Sequence, residues 1–509
     1  MTERPAKSPE EESAIESKAS SQAPLGQSAV KGVFWIGGGR VIRQVVAIGT
    51  SIALARLLAP GDFGVFGMIF FAMELAQVFT DFGFGTAIVQ RRVTDSVILS
   101  TSFWMNMGIS ILVGVVLIAS GPFLAHFFEQ PILTSLAYAC ALNVVVACAM
   151  VVPQALLTQR LEFRAQTQAQ IVGSFAGAAV AVAAALAGAG VWSLPIQPIA
   201  GTFVTLMLTF RAAHWVPRWR FSYSSIRDMM GFGSHLLGSN VIDAFGRSLH
   251  NIILGKTLGA APLGIYNMAH GVTYFPIYQV SAVVVKVLFP TLVNLNNEPL
   301  RFQSAYLRIV GAIALVTFPC MAGLYAVADD FVAVVFGSQW AGMVPVLKII
   351  AWVVMVQSVA TTATTVLLSK GDARILFRLS IVSTILLGVS LLIGSRWGLL
   401  GTAYGYAFAN MIIFAMQIHF SLKKIGLSKS VFLLSMRGSF GASLSMCIVV
   451  IASIAQMPTL HPALRLGLGI AIGAAAYAVF TWLFNRKEAY GIIKLVAATW
   501  GKQRVATPD

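Results

Sequence analysis

Residues 54–68, LARLLAPGDFGVFGM, return 200 positions later as LGKTLGAAPLGIYNM over 254–268. Leu54, Leu58, Gly64 and Met68 fall on Leu254, Leu258, Gly264 and Met268, while Arg56 falls on Lys256, Val65 on Ile265 and Phe66 on Tyr266. At the same offset upstream, Gly38, Val41 and Ile42 fall on Gly238, Val241 and Ile242. One identity between two apolar segments means little, but a run of them at a single offset marks a duplicated unit. Each copy reads as an apolar helix, a tight turn (APGDFG or GAAPLG) and a second apolar helix.

The rest of the chain extends this pattern. Of 509 residues, 57% are hydrophobic and only 11% charged, against about 25% charged in soluble domains, and the mean hydropathy is +0.80. Windows of about 20 apolar residues, enough to cross a bilayer, can be placed about 14 times. The first two lie near 32–58 and 63–89, the seventh and eighth near 229–256 and 263–289, and the last near 465–484. The expected fold is an all-α polytopic membrane protein. Six spans separate the two copies, so they share one orientation and are related by an axis along the membrane normal, the parallel-repeat arrangement of two lobes around a central site.

The expected organisation is a disordered tail (1–30), an N-lobe of six spans (31–211), a basic linker (212–228) and a C-lobe of six spans (229–421). Two extra spans follow (422–485), then a tail with an interfacial-helix pattern (486–509). Glu10, Glu11, Glu12 and Glu16 make the N-terminal stretch unlike a signal peptide. The net charge of +16 comes from basic residues scattered in small groups between apolar runs, which excludes a continuous nucleic-acid patch. Cys140, Cys148, Cys320 and Cys447 all lie inside apolar runs without metal-ligand spacing, and no cofactor is expected. With the N-terminus inside, the inner loops carry fourteen Lys and Arg, among them Arg91, Arg92, Arg218 and Arg220, and the outer loops three: Lys256, Arg396 and Arg465. This bias places both termini in the cytoplasm.

The ionisable residues inside spans are the candidate site, because a charge at membrane depth is costly unless it faces protein or water. At 1.5 Å per residue, Arg40 and Arg43 lie roughly 12 to 17 Å into span 1, near the middle of a ~30 Å core. Glu74 and Asp243 reach similar depth; Asp81 lies nearer the cytoplasm and Arg247 about one turn further out. Helical spacing groups Arg40, Arg43 and Gln44 on span 1, and Glu74, Gln77 and Asp81 on span 2. It also groups Asn240, Asp243, Arg247 and His250 on span 7, and Asn267, His270 and Tyr274 on span 8. These are the spans that carry the repeat, and the stripes are expected to converge on one hydrated cavity. Arg40, Arg43, Arg247, His250, Asn240, His270 and Tyr274 are the substrate-binding candidates, and Glu74, Asp81 and Asp243 the candidates for a coupling ion or proton. The alternative is that the charges only pair and lock helices together.

Five blocks, ARLLAPGDFGVFGM, DFGFGTAIVQRR, PLGIYNMAHG, VLFPTL and FVAVVFGSQWAGMVPVLKI, resemble those of the bacterial polysaccharide and O-antigen flippases of the multidrug/oligosaccharidyl-lipid/polysaccharide exporter superfamily. Arg56, Pro60, Gly64, Gly83, Gly85, Gln90, Arg91 and Gly264 belong to these blocks. The resemblance, over about residues 30 to 485, implies alternating-access transport of a polyprenyl-pyrophosphate-linked oligosaccharide across a bacterial inner membrane. It makes polysaccharide polymerase and export machinery the expected partners, besides membrane lipid. The candidate cations come from depth and spacing rather than from these blocks. The rivals are a cation-coupled multidrug exporter of the same superfamily and, from another class, a membrane polysaccharide polymerase, ligase or acyltransferase. The latter would need a large outer loop or a His followed four residues later by a catalytic Asp.

Overall fold

The structure, a computed structural model, describes residues 35–80, 84–220, 222 and 244–484. Among these residues every regular element is helical. Eleven helices are long and apolar enough to cross a membrane, and they coincide with expected spans 2 to 6 and 9 to 14. Span 1 appears as α1 (35–57), which Arg40, Arg43 and Gln44 make less apolar than those eleven. Span 7 is described only as α9 (244–257), and span 8 is α10 (Ala260–Asn294). The tails expected over 1–30 and 486–509 lie outside the described residues.

Two expected spans are each described as two helices. Span 2 is described as α2 (Pro60–Thr80) and the short α3 (Phe84–Gln90). Span 4 comprises α5 (Ile132–Cys148) and α6 (Val151–Gln159). Phe84, Ala87 and Ile88 of α3 bury into one apolar cluster with Val152, Ala155 and Leu156 of α6. Gly85 fits this contact, since a Cβ there would sit 3.3 Å from the Val151 side chain.

The chain forms two compact units. The first contains residues up to Leu58 and Met68–Ser248; the second contains Ala59–Gly67 and everything from Leu249. In the first, α4 (Ser96–Phe128) pairs with α5, and α7 (Phe163–Leu186) with α8 (Ser193–Ala213). The α7–α8 pair is close because Gly173 and Gly177 lie against Gly201 and the Gln197 carbonyl, as small residues allow where no hydrophobic force separates helix from lipid. Helix α1 joins this unit through Gly39, whose missing side chain leaves room for Thr167.

In the second unit α13 (Met343–Ser369) is the most enclosed span, packed by α10, α11 (Pro299–Ala326) and α15 (Gly398–Ile425). Its hydroxyls are used internally: Ser358 bonds Thr317 at 2.8 Å, and Thr362 donates to the Tyr306 hydroxyl at 3.2 Å. The outer segment 328–340 folds as α12 (Ala328–Val335) and a 3-10 turn at Ser338–Trp340. Helix α14 (Ala373–Ser395) pairs with α15, while α16 (Lys429–Leu434) leads into the last two spans, α17 (Arg437–Ala455) and α18 (Pro462–Phe484). Arg465 of α18 donates Nε to the buried Asp330 of α12 at 3.0 Å, and Met446, Cys447 and Val450 of α17 pack on Ala322 and Val327.

The start of α2 belongs to this second unit because of two glycines. A Cβ on Gly64 would fall onto the carbonyl of Ala260, and a Cβ on Gly264 would fall onto the carbonyl of Pro60. Residues 60 and 64 are the 200-offset counterparts of 260 and 264, so the contact is reciprocal, as a two-fold relation between the copies requires. Pro60 opens α2 at a position that needs no N–H, and the Ala59 N–H is satisfied by Asp62 Oδ2 at 3.0 Å. Phe63 then meets the ring of Trp340 edge-on at 5.3 Å.

We expect Gly64→Leu and Gly264→Leu each to lower the thermal midpoint of the detergent-solubilised protein sharply, because backbone rather than a pliable side chain occupies the space. Gly61→Ala, which meets nothing within 4 Å, serves as the neutral control. A Gly64→Leu protein as stable as the parent would contradict the crossing.

Candidate functional site

The polar residues of the interior gather in two places, one in each unit. In the first unit, Phe71 and Glu74 lie one turn apart on α2 and face Phe245, Arg247 and Ser248 of α9. The phenyl rings meet at 6.2 Å, Arg247 Nε donates to Glu74 Oε1 at 3.1 Å, and the buried Ser248 hydroxyl donates to Oε2. Glu74 is therefore bound at both oxygens. Its side chain keeps 24% exposure and that of Arg247 keeps 58%, so the pair is not sealed inside close-packed protein. Thus Arg247, read from sequence as a binding cation, is matched by a carboxylate. Glu74, read from sequence as a candidate for a coupling ion or proton, is the acid that Arg247 meets.

Arg40 and Arg43 are left as the cationic side of α1. Among the described residues neither has a carboxylate partner; Arg40 is exposed, and Arg43 is half-buried with its Nε hydrogen-bonded to nothing. Both lie on the helix that Gly39 ties to α7, and their i, i+3 spacing adds mutual repulsion. Each guanidinium offers a planar fork of donors suited to phosphate oxygens.

In the second unit, His250 of α9 and His270 and Tyr274 of α10 do come together. His270 stacks on Tyr274 at 4.0 Å between ring centroids and on His250 at 5.5 Å. The buried Tyr274 hydroxyl reaches both Gln357 of α13 and the hydroxyl of Tyr406 on α15. Tyr266 closes the group from α10 and is fully buried, with its hydroxyl unpartnered among the described residues. Beside it Asn267 donates to Asn251 Oδ1 at 2.8 Å over Gly67, where a Cβ would lie 2.5 Å from Asn267 Nδ2. This is a closed aromatic and amide network rather than an open binding wall.

Asn240, Asp243, Asp81 and Gly83 lie outside the described residues. Arg56 is exposed at the end of α1, and Gln90 and Arg91 are exposed at the end of α3. Sequence reading did not single out Ser248, Asn251, Tyr266, Gln357 and Tyr406. Ser248 and Asn251 had a usable signal, since they flank His250 on a stripe already recognised as polar.

These features define a polytopic helical membrane protein with a duplicated helical unit and paired cations inside a span. Residues 53–345 match the family described as polysaccharide biosynthesis protein, and the chain belongs to that family. It is 29% identical over 421 residues to the teichuronic acid biosynthesis protein TuaB of Bacillus subtilis, covering 82% of this chain and 86% of the relative. To the lipopolysaccharide biosynthesis protein WzxC of Escherichia coli it is 26% identical over 437 residues, covering 84% and 87%. In fold it is similar to the lipid II flippase MurJ in an inward closed conformation, with a TM-score of 0.71 at 12% identity over 89% of this chain and 99% of that one. An inward-facing transporter of the multidrug MATE family is a further fold match, with a TM-score of 0.59 at 13% identity over 75% and 94%.

The Glu74–Arg247 contact predicts a coupled response. Glu74→Ala leaves a cation without its acid and is expected to lower the thermal midpoint, and adding Arg247→Ala is expected to recover most of that loss. Strictly additive effects in the double-mutant cycle would show that the two side chains do not interact.

Proposed function

We infer that this protein is a flippase that carries polyprenyl-pyrophosphate-linked oligosaccharide repeat units from the inner to the outer leaflet by alternating access, for polysaccharide assembly. One observation carries the reading: among the described residues Arg40 and Arg43 stand without acids inside the first span of a chain that belongs to the polysaccharide biosynthesis family. A pyrophosphate cannot cross hydrocarbon unaided, but guanidiniums can hold it while the polyprenyl tail stays in lipid. The related proteins serve teichuronic acid, lipopolysaccharide and succinoglycan biosynthesis by name, and a more distant one is a probable flippase of glycan biosynthesis in Haloferax volcanii. The protein is a transporter rather than an enzyme, and the membrane lipid and the lipid-linked glycan are its partners.

The finer parts of the reading rest on sequence. The excess of basic residues in alternate loops supports cytoplasmic termini and location in a bacterial inner membrane. Two negative charges leaving a cell that is negative inside would gain about 4.6 kcal/mol per 100 mV, so membrane potential contributes to export. Glu74 is the coupling candidate whose surroundings are described: protonation would release Arg247 and the Ser248 hydroxyl together. The product would pass to polysaccharide polymerase and export machinery. The multidrug alternative favours acidic groups on the first span over the two arginines found there.

Deleting the gene is expected to accumulate a complete lipid-linked repeat unit on the cytoplasmic face, seen by lipid extraction and mass spectrometry. Arg40→Ala and Arg43→Ala are expected to abolish surface polysaccharide at normal protein level. A deletion strain with no such lipid, or surface polymer persisting in both variants, contradicts the reading.

A further inference from the structure

The basic segment after α8 is held against the start of α4 rather than hanging free. Helix α8 ends at Ala213, whose carbonyl accepts from Arg160 Nη1 at 2.9 Å, and His214 turns the chain with φ 47°. From there the chain runs back along α4. The Arg218 N–H donates to Ser100 Oγ at 3.1 Å, and the Arg218 carbonyl accepts from Trp104 Nε1 at 3.0 Å. The Ser222 N–H donates to Thr101 Oγ1 at 3.0 Å. The Arg218 carbonyl also accepts from the Arg220 N–H at 2.8 Å, a three-residue turn that draws the two arginines together. At its apex Trp219 stacks on Trp104 at 4.1 Å.

This strap presents charge and apolar surface together. Arg218 and Arg220 are exposed and have no carboxylate partner among the described residues, Trp219 is 87% exposed and Val216 74%. The strap's contacts run from Ser100 to Trp104, roughly 6 to 12 Å from the start of α4 at Ser96. A helix of 33 residues is about 50 Å long and overshoots a ~30 Å core, so a centred α4 carries the strap near one interface, where tryptophan concentrates. Arginine forks match phosphodiester oxygens, and basic residues at a membrane surface are drawn to anionic lipid.

We propose that residues 214–220, fastened to Ser100, Thr101 and Trp104, form a headgroup site for an anionic phospholipid, with Arg218 and Arg220 holding the phosphodiester and Trp219 lying among the glycerol backbones. The site is independent of Arg40 and Arg43 and of the transport reading. It gives the segment between the two repeats a fixed anchor in one leaflet.

The test uses the full chain, purified and titrated with phosphatidylglycerol or phosphatidylcholine, with bound lipid counted by native mass spectrometry. The parent is expected to retain phosphatidylglycerol over phosphatidylcholine, and Arg218→Gln and Arg220→Gln to weaken retention about fivefold each. Ser100→Ala with Thr101→Val, which leaves both arginines but frees the strap, is expected to weaken it as well, while Arg92→Gln changes it less than twofold. Each variant is first checked for a monodisperse elution profile. Undiminished retention in the double arginine variant or in the unfastened variant overturns the proposal. So does an equal loss in Arg92→Gln, equal retention of phosphatidylcholine, or capture of polyprenyl pyrophosphate in place of phosphatidylglycerol.

Discussion

A guanidinium at the depth of the hydrocarbon must find an acid, a hydrogen-bonding protein surface or water, since the alternative costs several kcal/mol. That constraint orders the interior of this protein. Arg247 meets it with Glu74, while Arg465, in the first turn of α18 and so near a helix end, pairs with the buried Asp330. Arg40 and Arg43 meet it with neither, because among the described residues no carboxylate reaches them and Arg43 Nε has no hydrogen-bond partner. On the function proposed above, their partner is water that exchanges for an anionic headgroup.

The two polar groups are built differently, and the difference suggests different duties. The network of His250, His270, Tyr274, Gln357 and Tyr406 joins two buried tyrosines to half-buried rings and an amide, so it behaves as a bonded core for the second unit. Such a network is stable when its members are satisfied and costly when one is removed. The Arg40–Arg43 face of α1 has the opposite character: charge is held in place by the packing of Gly39 against Thr167 and meets no carboxylate among the described residues. The crossing of Gly64 and Gly264 ties the repeats together by backbone contact, a geometry that any side chain would push apart.

Eleven of the spans were legible because apolar windows of this length carry their own signal, and the repeat was legible because Gly64 and Gly264 recur at one offset. The reciprocity of their contact was implicit in that offset, since residues related by a two-fold axis meet in pairs. What sequence spacing could not supply was partnership across distance. Helical periodicity places Glu74 on a face but does not say that Arg247, 173 positions away, is the cation it meets. Gln357 and Tyr406 were invisible for the same reason: each is one polar residue among several on its helix, and only the packing of α13 and α15 brings them to Tyr274. The strap was hidden because an Arg-rich segment between spans carries no signal of the Ser100, Thr101 and Trp104 contacts that hold it.

The account's central claim is that Arg40 and Arg43 face water at membrane depth, and thiol accessibility tests it most directly. Cys140, Cys148 and Cys447 are buried, and exposed Cys320 is removed by Cys320→Ala. Single substitutions Arg40→Cys and Val41→Cys, the latter at a 63% exposed apolar position, are then treated in membranes with a charged, water-soluble methanethiosulfonate. Rapid modification at position 40 with protection at position 41 is the predicted result; protection at both positions would mean that the arginine face of α1 lies in lipid or packed protein, and the account would fail.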